Sequence, residues 1–190
     1  TLNTSVSYIF SSNIIVDKSM ETYIEGVSKD AEYINGWLEN QQNILESVSR
    51  AIASNGEIDG DWIASLLKGQ VSGRDQIMDL YAAFSNNDVF FASGYEFPKE
   101  IDVTQRGWYV SAKQNPDTAI ITSPYTDVQT GEMVITVAKY GGKVDGQDLV
   151  LGADIYITTL TSVISEMDLS NNANAFLANG DGQIISHSLE

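Results

Sequence analysis

Apolar residues recur every three or four positions along the first quarter of the chain: Ile24, Val27, Ala31, Ile34, Leu38, Leu45, Val48 and Ile52, with Gln41 as the only polar interruption. A period of about 3.5 residues held over four heptads predicts a helix with one apolar stripe. No proline falls between Ser5 and Ser54, so the helix has room for about 50 residues, or roughly 75 Å. Asn55-Gly56 supplies its stop. That length exceeds what a compact domain of this size needs. Either the stripe packs only on the chain's own sheet, or its N-terminal part also pairs with a second subunit and leads into a membrane anchor.

The pattern then shortens. Asp59-Gly60-Asp61 offers N-cap residues for a short amphipathic helix through Trp62, Ile63, Leu66 and Leu67, broken between Gly69 and Gly73. From Ile77 the period becomes two: Met78, Leu80, Ala82 and Phe84 alternate, Ser85 to Asp88 turns, and Val89 to Ala92 resumes, which predicts a β-hairpin. Pro98 to Gln105 reads as loop, and Arg106–Lys113 as a short helix ended by Asn115-Pro116. Strand-like runs follow at Ala119–Thr122, Tyr125–Val128, Met133–Tyr140 and Leu149–Ile155, with turns at Gln129-Thr130-Gly131 and Gly141–Gln147. Thr158–Met167 has Leu160, Val163 and Ile164 on one helical face, and Phe176–Ala178 with Ile184-Ile185 frames a last hairpin. This order predicts an α+β fold: a long N-terminal helix followed by an antiparallel sheet.

Composition narrows the function classes. Ten basic residues against 26 acidic ones give a net charge of −16, which repels phosphate backbones, so no nucleic-acid partner is expected. The absence of cysteine removes disulfides, thiolate metal sites and cysteine nucleophiles. There is no run of about 18 apolar residues that would span a membrane. The chain opens with neither an initiator Met nor a signal peptide, as expected of a domain excised from a longer protein.

Chemistry-bearing residues concentrate between Arg106 and Asp154. Arg106-Gly107-Trp108-Tyr109 and Pro124-Tyr125-Thr126-Asp127 bring together a cation, three aromatic rings and a carboxylate. Tyr125 and Asp127 share a face of an extended strand, and Asp154 shares one with Val150 and Gly152, where Gly152 leaves space beside it. Two carboxylates converging on one side of a sheet call for a cation, either Arg106 or the ammonium of a ligand. In the first case Arg106 neutralises an Asp and the rings are core. Trp108 and Tyr109 otherwise suit packing against a ligand. The Asp127–Asp154 pair could also serve as general acid and base of a hydrolase. No HExxH, P-loop or GxGxxG accompanies it, the single His187 lies at the chain's end, and the calcium-loop-like Asn179–Glu190 lacks the needed glycine, so no metal or cofactor is expected. Residues near Tyr81, Phe84 and Tyr95 are candidates for the wall facing a ligand side chain.

Arg106-Gly-Trp108-Tyr109, Ser123-Pro-Tyr125-Thr-Asp127, Thr130-Gly131 and Gly152-Ala-Asp154-Ile155 together resemble the double Cache (PAS-like) sensor domain of bacterial and archaeal chemoreceptors and sensor histidine kinases. The resemblance covers nearly the whole chain, and 176–187 resembles the opening hairpin of that fold's membrane-proximal module. It implies a signalling helix over 1–57, a membrane-distal, ligand-binding Cache module over 58–157, and a linker helix with the start of an incomplete second module over 158–190. It also implies a non-enzymatic, extracytoplasmic sensor in a membrane-anchored parent, a homodimer through the N-terminal helix. In the amino-acid-binding branch, Arg106 and Trp108 would hold a ligand carboxylate, Tyr109 and Tyr125 would contribute hydroxyls, and Asp127 and Asp154 would hold the ammonium. Ile101 stands where that branch usually carries a tyrosine, five residues before the arginine. An amine in place of an amino acid is the alternative ligand.

Overall fold

The computed structural model describes residues 32–165 and the two strands Phe176–Ala178 and Ile184–His187. The apolar stripe at Ile24, Val27 and Ala31, like the second-subunit reading of the N-terminal stretch, lies outside the described residues. Helix α1 covers 32–55. Its buried positions Ile34, Trp37, Gln41, Leu45, Val48 and Ile52 step by three and four, with Ile44 and Ser49 buried beside them, so this part of the stripe packs on the chain's own core. Gly56, at φ +77°, ends it as the sequence predicts. Helix α2, Gly60–Val71, is capped by Asp59, whose Oδ1 accepts from the Trp62 amide at 3.1 Å.

The sheet is antiparallel. Strands β1 (Asp79–Phe84), β2 (Val89–Phe91), β3 (Ile120–Ile121), β4 (Tyr125–Thr126), β5 (Met133–Val144) and β6 (Gln147–Tyr156) lie in the order β2-β1-β6-β5-β3, with β4 also on β5. Helix α3, Gly107–Gln114, follows a 3₁₀ turn at Val103–Gln105, and α4 spans Ile157–Ser165. Strands β7 (Phe176–Ala178) and β8 (Ile184–His187) form a separate antiparallel pair, the last hairpin expected from the sequence.

Alternation divides the sheet's residues between two cores. Leu80, Ala82, Phe84, Ile135, Val137, Leu149, Leu151, Ala153 and Ile155 pack with α1, α2 and α4. Tyr81, Ala83, Ala138 and Val150 point the other way and pack with Trp108, Tyr109 and Ala112 of α3. The register aligns this second face in rows across β1, β6 and β5: Asp79, Asp154 and Thr136; then Tyr81, Gly152 and Ala138; then Ala83, Val150 and Tyr140.

Two expectations need correction. The stretch Gly141–Gln147 is not a seven-residue turn. Strand β5 continues to Val144 through a bulge between Tyr140 and Gly142, and only Asp145-Gly146 turns. Both turn residues have positive φ, 48° and 76°, the geometry that matches a tight two-residue hairpin to the twist of its strands. Nor is the space beside Gly152 open. The Tyr81 ring lies over it, held between Phe91 and Trp108 at centroid separations of 5.0 Å each. A Cβ on residue 152 would come within 2.4 Å of that ring.

Gly152→Ala should therefore destabilise the domain by about 1–3 kcal/mol, because the ring it displaces is wedged between two others. Urea denaturation of the two proteins checks this. An unchanged midpoint would mean that Tyr81 moves aside freely.

Candidate functional site

On the face of the sheet toward α3, three carboxylates are buried together. Asp79, Asp127 and Asp154 are 2%, 6% and 3% exposed. Asp79 and Asp154 stand directly opposite each other on β1 and β6, an arrangement that is destabilising for like charges even at a surface. No ion pair reaches any of the three among the described residues.

Each is held by neutral donors. Asp79 caps its own neighbourhood: Oδ1 accepts from the amides of Leu80 at 2.8 Å and Ser93 at 3.1 Å, while Oδ2 accepts from the Ser93 hydroxyl. Asp127 closes the turn that leads into β5. Its Oδ2 accepts from the amides of Gln129 at 2.9 Å and Thr130 at 2.7 Å and from the Thr130 hydroxyl at 2.9 Å. Asp154 receives hydroxyls on Oδ1, from Thr136 at 2.6 Å, Tyr81 at 2.9 Å and Tyr125 at 3.4 Å. The Tyr125 and Thr136 oxygens are themselves 2.7 Å apart. Because Thr136 spends its one proton on Asp154, Tyr125 donates chiefly to Thr136. In Asp127 these bonds leave Oδ1 unused, and in Asp154 they leave Oδ2 unused.

The electrostatic consequence is strongest at Asp154. Burial pushes its pKa up to about 7, the Thr136 and Tyr81 hydroxyls pull against that, and the charges of Asp127 and Asp79 add to the rise. Burial likewise raises Asp79, against its bonds from Ser93 and Leu80. The phenols of Tyr81 and Tyr125 are pushed well up by burial and by the nearby Asp154, so both remain donors at any physiological pH.

Arg106 caps α3 through its backbone, and its guanidinium lies over the Tyr125 ring, 5.6 Å from the centroid. It forms no ion pair among the described residues. No side chain caps the first turn of α3. Two cavities meet at this arginine. An inner one of about 20 Å³ is lined by Tyr81, Arg106, Trp108, Tyr125, Asp127 and Asp154, together with Phe91, Tyr95, Phe97, Val128 and Gln129. An outer cleft of about 660 Å³ is lined by Arg106, Gly107, Trp108, Ser111, Tyr125 and residues 120–124.

Five of the six site residues expected from the sequence thus line one cavity: Arg106, Trp108, Tyr125, Asp127 and Asp154. Tyr109 lies apart from both cavities. It is 1% exposed, and its hydroxyl donates to the Asp148 carbonyl at 3.3 Å, beside a Lys113–Asp148 ion pair of 2.7 Å. Burial, and then the Asp148 charge, push its phenol up to about 12. Of the expected wall residues, Tyr81 and Tyr95 line the inner cavity, whereas Phe84 belongs to the opposite core because it is an odd number of positions from Tyr81 on one strand. Sequence reasoning missed Asp79, Thr136 and Gln129. The first two have the same strand parity as Tyr81 and Asp154, which was a usable signal once β1, β5 and β6 were paired.

No protein-family model matches the chain. Its sequence relatives are chemotaxis transducers. It is 29% identical over 159 residues to the methyl-accepting chemotaxis protein PscA of Pseudomonas syringae pv. tomato, covering 81% of this chain and 24% of that protein. It is also 29% identical over 115 residues to McpC of Bacillus subtilis, covering 60% and 17% respectively. The chain thus spans about a quarter or less of these relatives' length. Among solved structures, the ligand-binding domain of the Pseudomonas fluorescens chemoreceptor CtaA in complex with L-isoleucine superposes with a TM-score of 0.77 at 27% identity, over 94% of this chain and 73% of that one. The sensory domain of the Campylobacter jejuni chemoreceptor Tlp3 with isoleucine bound gives the same TM-score at 18% identity, over 94% and 74%, which is a likeness of fold. The α+β architecture is similar to that of these chemoreceptor ligand-binding domains. The family resemblance read from the RGWY, SPYTD and GADI segments is borne out.

The titration of Asp154 has a defined sign. Its carboxyl keeps a proton up to about pH 7 in the folded chain but loses it near 4 when unfolded. Between those values the unfolded state binds fewer protons, so the ligand-free domain should lose stability as pH rises from 4 to 7, by up to a few kcal/mol. Asp154→Asn should flatten that fall. Equal pH dependence of both proteins in urea melts would place the titration elsewhere.

Proposed function

We propose that this chain is the extracytoplasmic sensing part of a transmembrane chemoreceptor and that it binds a small amino acid, without turnover, on the α3 face of its sheet. The observation that carries the reading is the pairing, among the described residues, of two unmet needs: buried carboxylates that no basic side chain neutralises, and beside them an arginine with no carboxylate of its own. An α-amino acid meets both at once. Its ammonium takes the place of the missing cation at Asp127 and Asp154, and its carboxylate takes a bidentate place on Arg106 near the uncapped start of α3. Trp108 and Tyr125 flank the ligand between these anchors, and its side chain extends toward the outer cleft. The CtaA domains that share this fold are described in complex with L-valine, L-alanine and L-isoleucine, which supports this ligand class.

In this reading residues 58–157 are the membrane-distal module and 158–190 begin the membrane-proximal one. Helix α1 carries the signal, and the intact receptor is a membrane-anchored homodimer through the N-terminal helix. Among the described residues no helix is long and apolar enough to cross a membrane. An amine is the second reading, favoured by Ile101 in place of the branch's usual tyrosine and by the engagement of Arg106 with the Tyr125 ring.

Isothermal titration against L-amino acids, the matching decarboxylated amines and simple carboxylates separates the readings. Amino acids should bind the wild type, Asp154→Ala should abolish binding, and Arg106→Ala should weaken it by roughly tenfold to a hundredfold, the loss expected for charge-assisted bonds. Amines binding as tightly as amino acids, with no effect of Arg106→Ala, would favour the amine. No binding from any class would overturn the ligand assignment.

A further inference from the structure

Gln129 follows Asp127 by two residues in the turn that opens β5. Its backbone amide donates to Asp127 Oδ2 at 2.9 Å, which fixes the direction in which its side chain leaves the turn. Gln129 is one of the residues that line the inner cavity with Asp127 and Asp154. Its amide oxygen, Oε1, is buried and accepts no hydrogen bond from any described residue. An orphaned acceptor of this kind costs stability unless a donor arrives.

We propose that Gln129 is the third acceptor of the ammonium subsite and that it makes the site selective for a primary ammonium. The inference rests on the amino-acid reading above and deepens it. A primary ammonium carries three N–H donors and no acceptor. The residues that line the cavity carry three oxygens to match: Asp127 Oδ1 and Asp154 Oδ2, each unused by the hydrogen bonds of its own carboxylate, and the buried Gln129 Oε1. The carboxylates supply charge, and the neutral amide supplies the remaining acceptor without a third negative charge beside Asp79. An N-methylated ligand brings a methyl group to one of these oxygens and leaves it unpaired in a space of about 20 Å³. A site built to hydrogen-bond a group discriminates strongly against analogues that lack it.

The test compares L-alanine with N-methyl-L-alanine by isothermal titration on the whole domain, for the wild type, Gln129→Met and Gln129→Glu. Met keeps the length without the acceptor; Glu keeps the acceptor and adds charge. The wild type should prefer the primary amine by at least about tenfold. Gln129→Met should lose roughly tenfold in L-alanine affinity and most of that preference. Gln129→Glu should retain the preference. If Gln129→Met binds both ligands as the wild type does, Gln129 is no part of the subsite and the inference fails while the amino-acid reading stands. If Gln129→Met does not fold, Gln129→Glu decides: loss of the preference there overturns the proposal. If the wild type binds neither compound nor any other primary amino acid, both readings fall together.

Discussion

A carboxylate buried at the centre of a sheet constrains everything around it. Asp154 sits on β6 between β1 and β5, with Asp79 opposite on one side and Thr136 on the other. Left to itself, a charge there would cost many kcal/mol, and the fold lowers that cost with hydroxyls from β1, β4 and β5 rather than with a basic residue. Hydroxyls solve half of the problem. They hydrogen-bond the carboxylate but do not offset its burial, which, with the charges of Asp127 and Asp79, pushes its pKa up to about 7 and not down. A site that stays ready for a cationic ligand must be left in such an incomplete state. A basic side chain bonded to Asp154 would stabilise the apo protein and compete with such a ligand; Arg106, which lines this cavity, lies instead over the Tyr125 ring.

The surrounding packing keeps that state from collapsing. Tyr81 donates to Asp154 only because its ring passes over Gly152, and the ring stays there because Phe91 and Trp108 hold it from either side. Trp108 comes from α3, whose far end is tied to the β5–β6 hairpin through Lys113 and Asp148. The Asp148 carboxyl is held below its usual range, first by the bond from Lys113, so this ion pair persists wherever Asp154 titrates. Two acids on one face of one strand thus shift oppositely, because Asp154 is buried with no basic partner among the described residues while Asp148 is partly exposed and paired with Lys113.

Much of this was legible in the sequence, for physical reasons that particular residues make plain. Period two put Asp154 on one face with Val150 and Gly152, opposite to Leu149, Leu151, Ala153 and Ile155, which the structure packs into the helix-covered core. Asp59 before Trp62 and Gly56 after α1 are local signals that require no tertiary context. Pairing was not legible. Which strands neighbour β6 depends on the whole topology, so the opposition of Asp79 to Asp154 and the hydroxyl of Thr136 could not be read from spacing. The space beside Gly152 was misread for the same reason: a glycine leaves room, but only the register shows that a tyrosine of another strand has taken it. The β5–β6 turn was misjudged because Gly141-Gly142 looks like a turn while acting as a bulge, leaving Asp145-Gly146 to reverse the chain.

The two cavities set a condition on how such a site can work. About 20 Å³ holds no more than a water molecule, so the acidic subsite cannot receive even the smallest amino acid without rearrangement. The side chains common to both cavities are Arg106, Trp108 and Tyr125. Trp108 is fixed by Tyr81 and Tyr109, whereas Arg106 lies on Tyr125 through a single cation–π contact worth about 0.5–2 kcal/mol. Tyr125 in turn reaches Asp154 only through its longer 3.4 Å bond and through Thr136. The weakest partition between vestibule and anchor is therefore the one that a ligand carboxylate would open by drawing the guanidinium away from the ring. Tyr125 is itself bonded to Thr136 on β5. That strand also bears Lys139, which pairs with Glu46 of α1 at 3.2 Å, and Gly141, whose carbonyl accepts from Ser49 of the same helix. A ligand alters a conformational balance only through contacts that differ between states, and here the contacts that would differ converge on β5, the strand that Lys139 and Gly141 tie to α1.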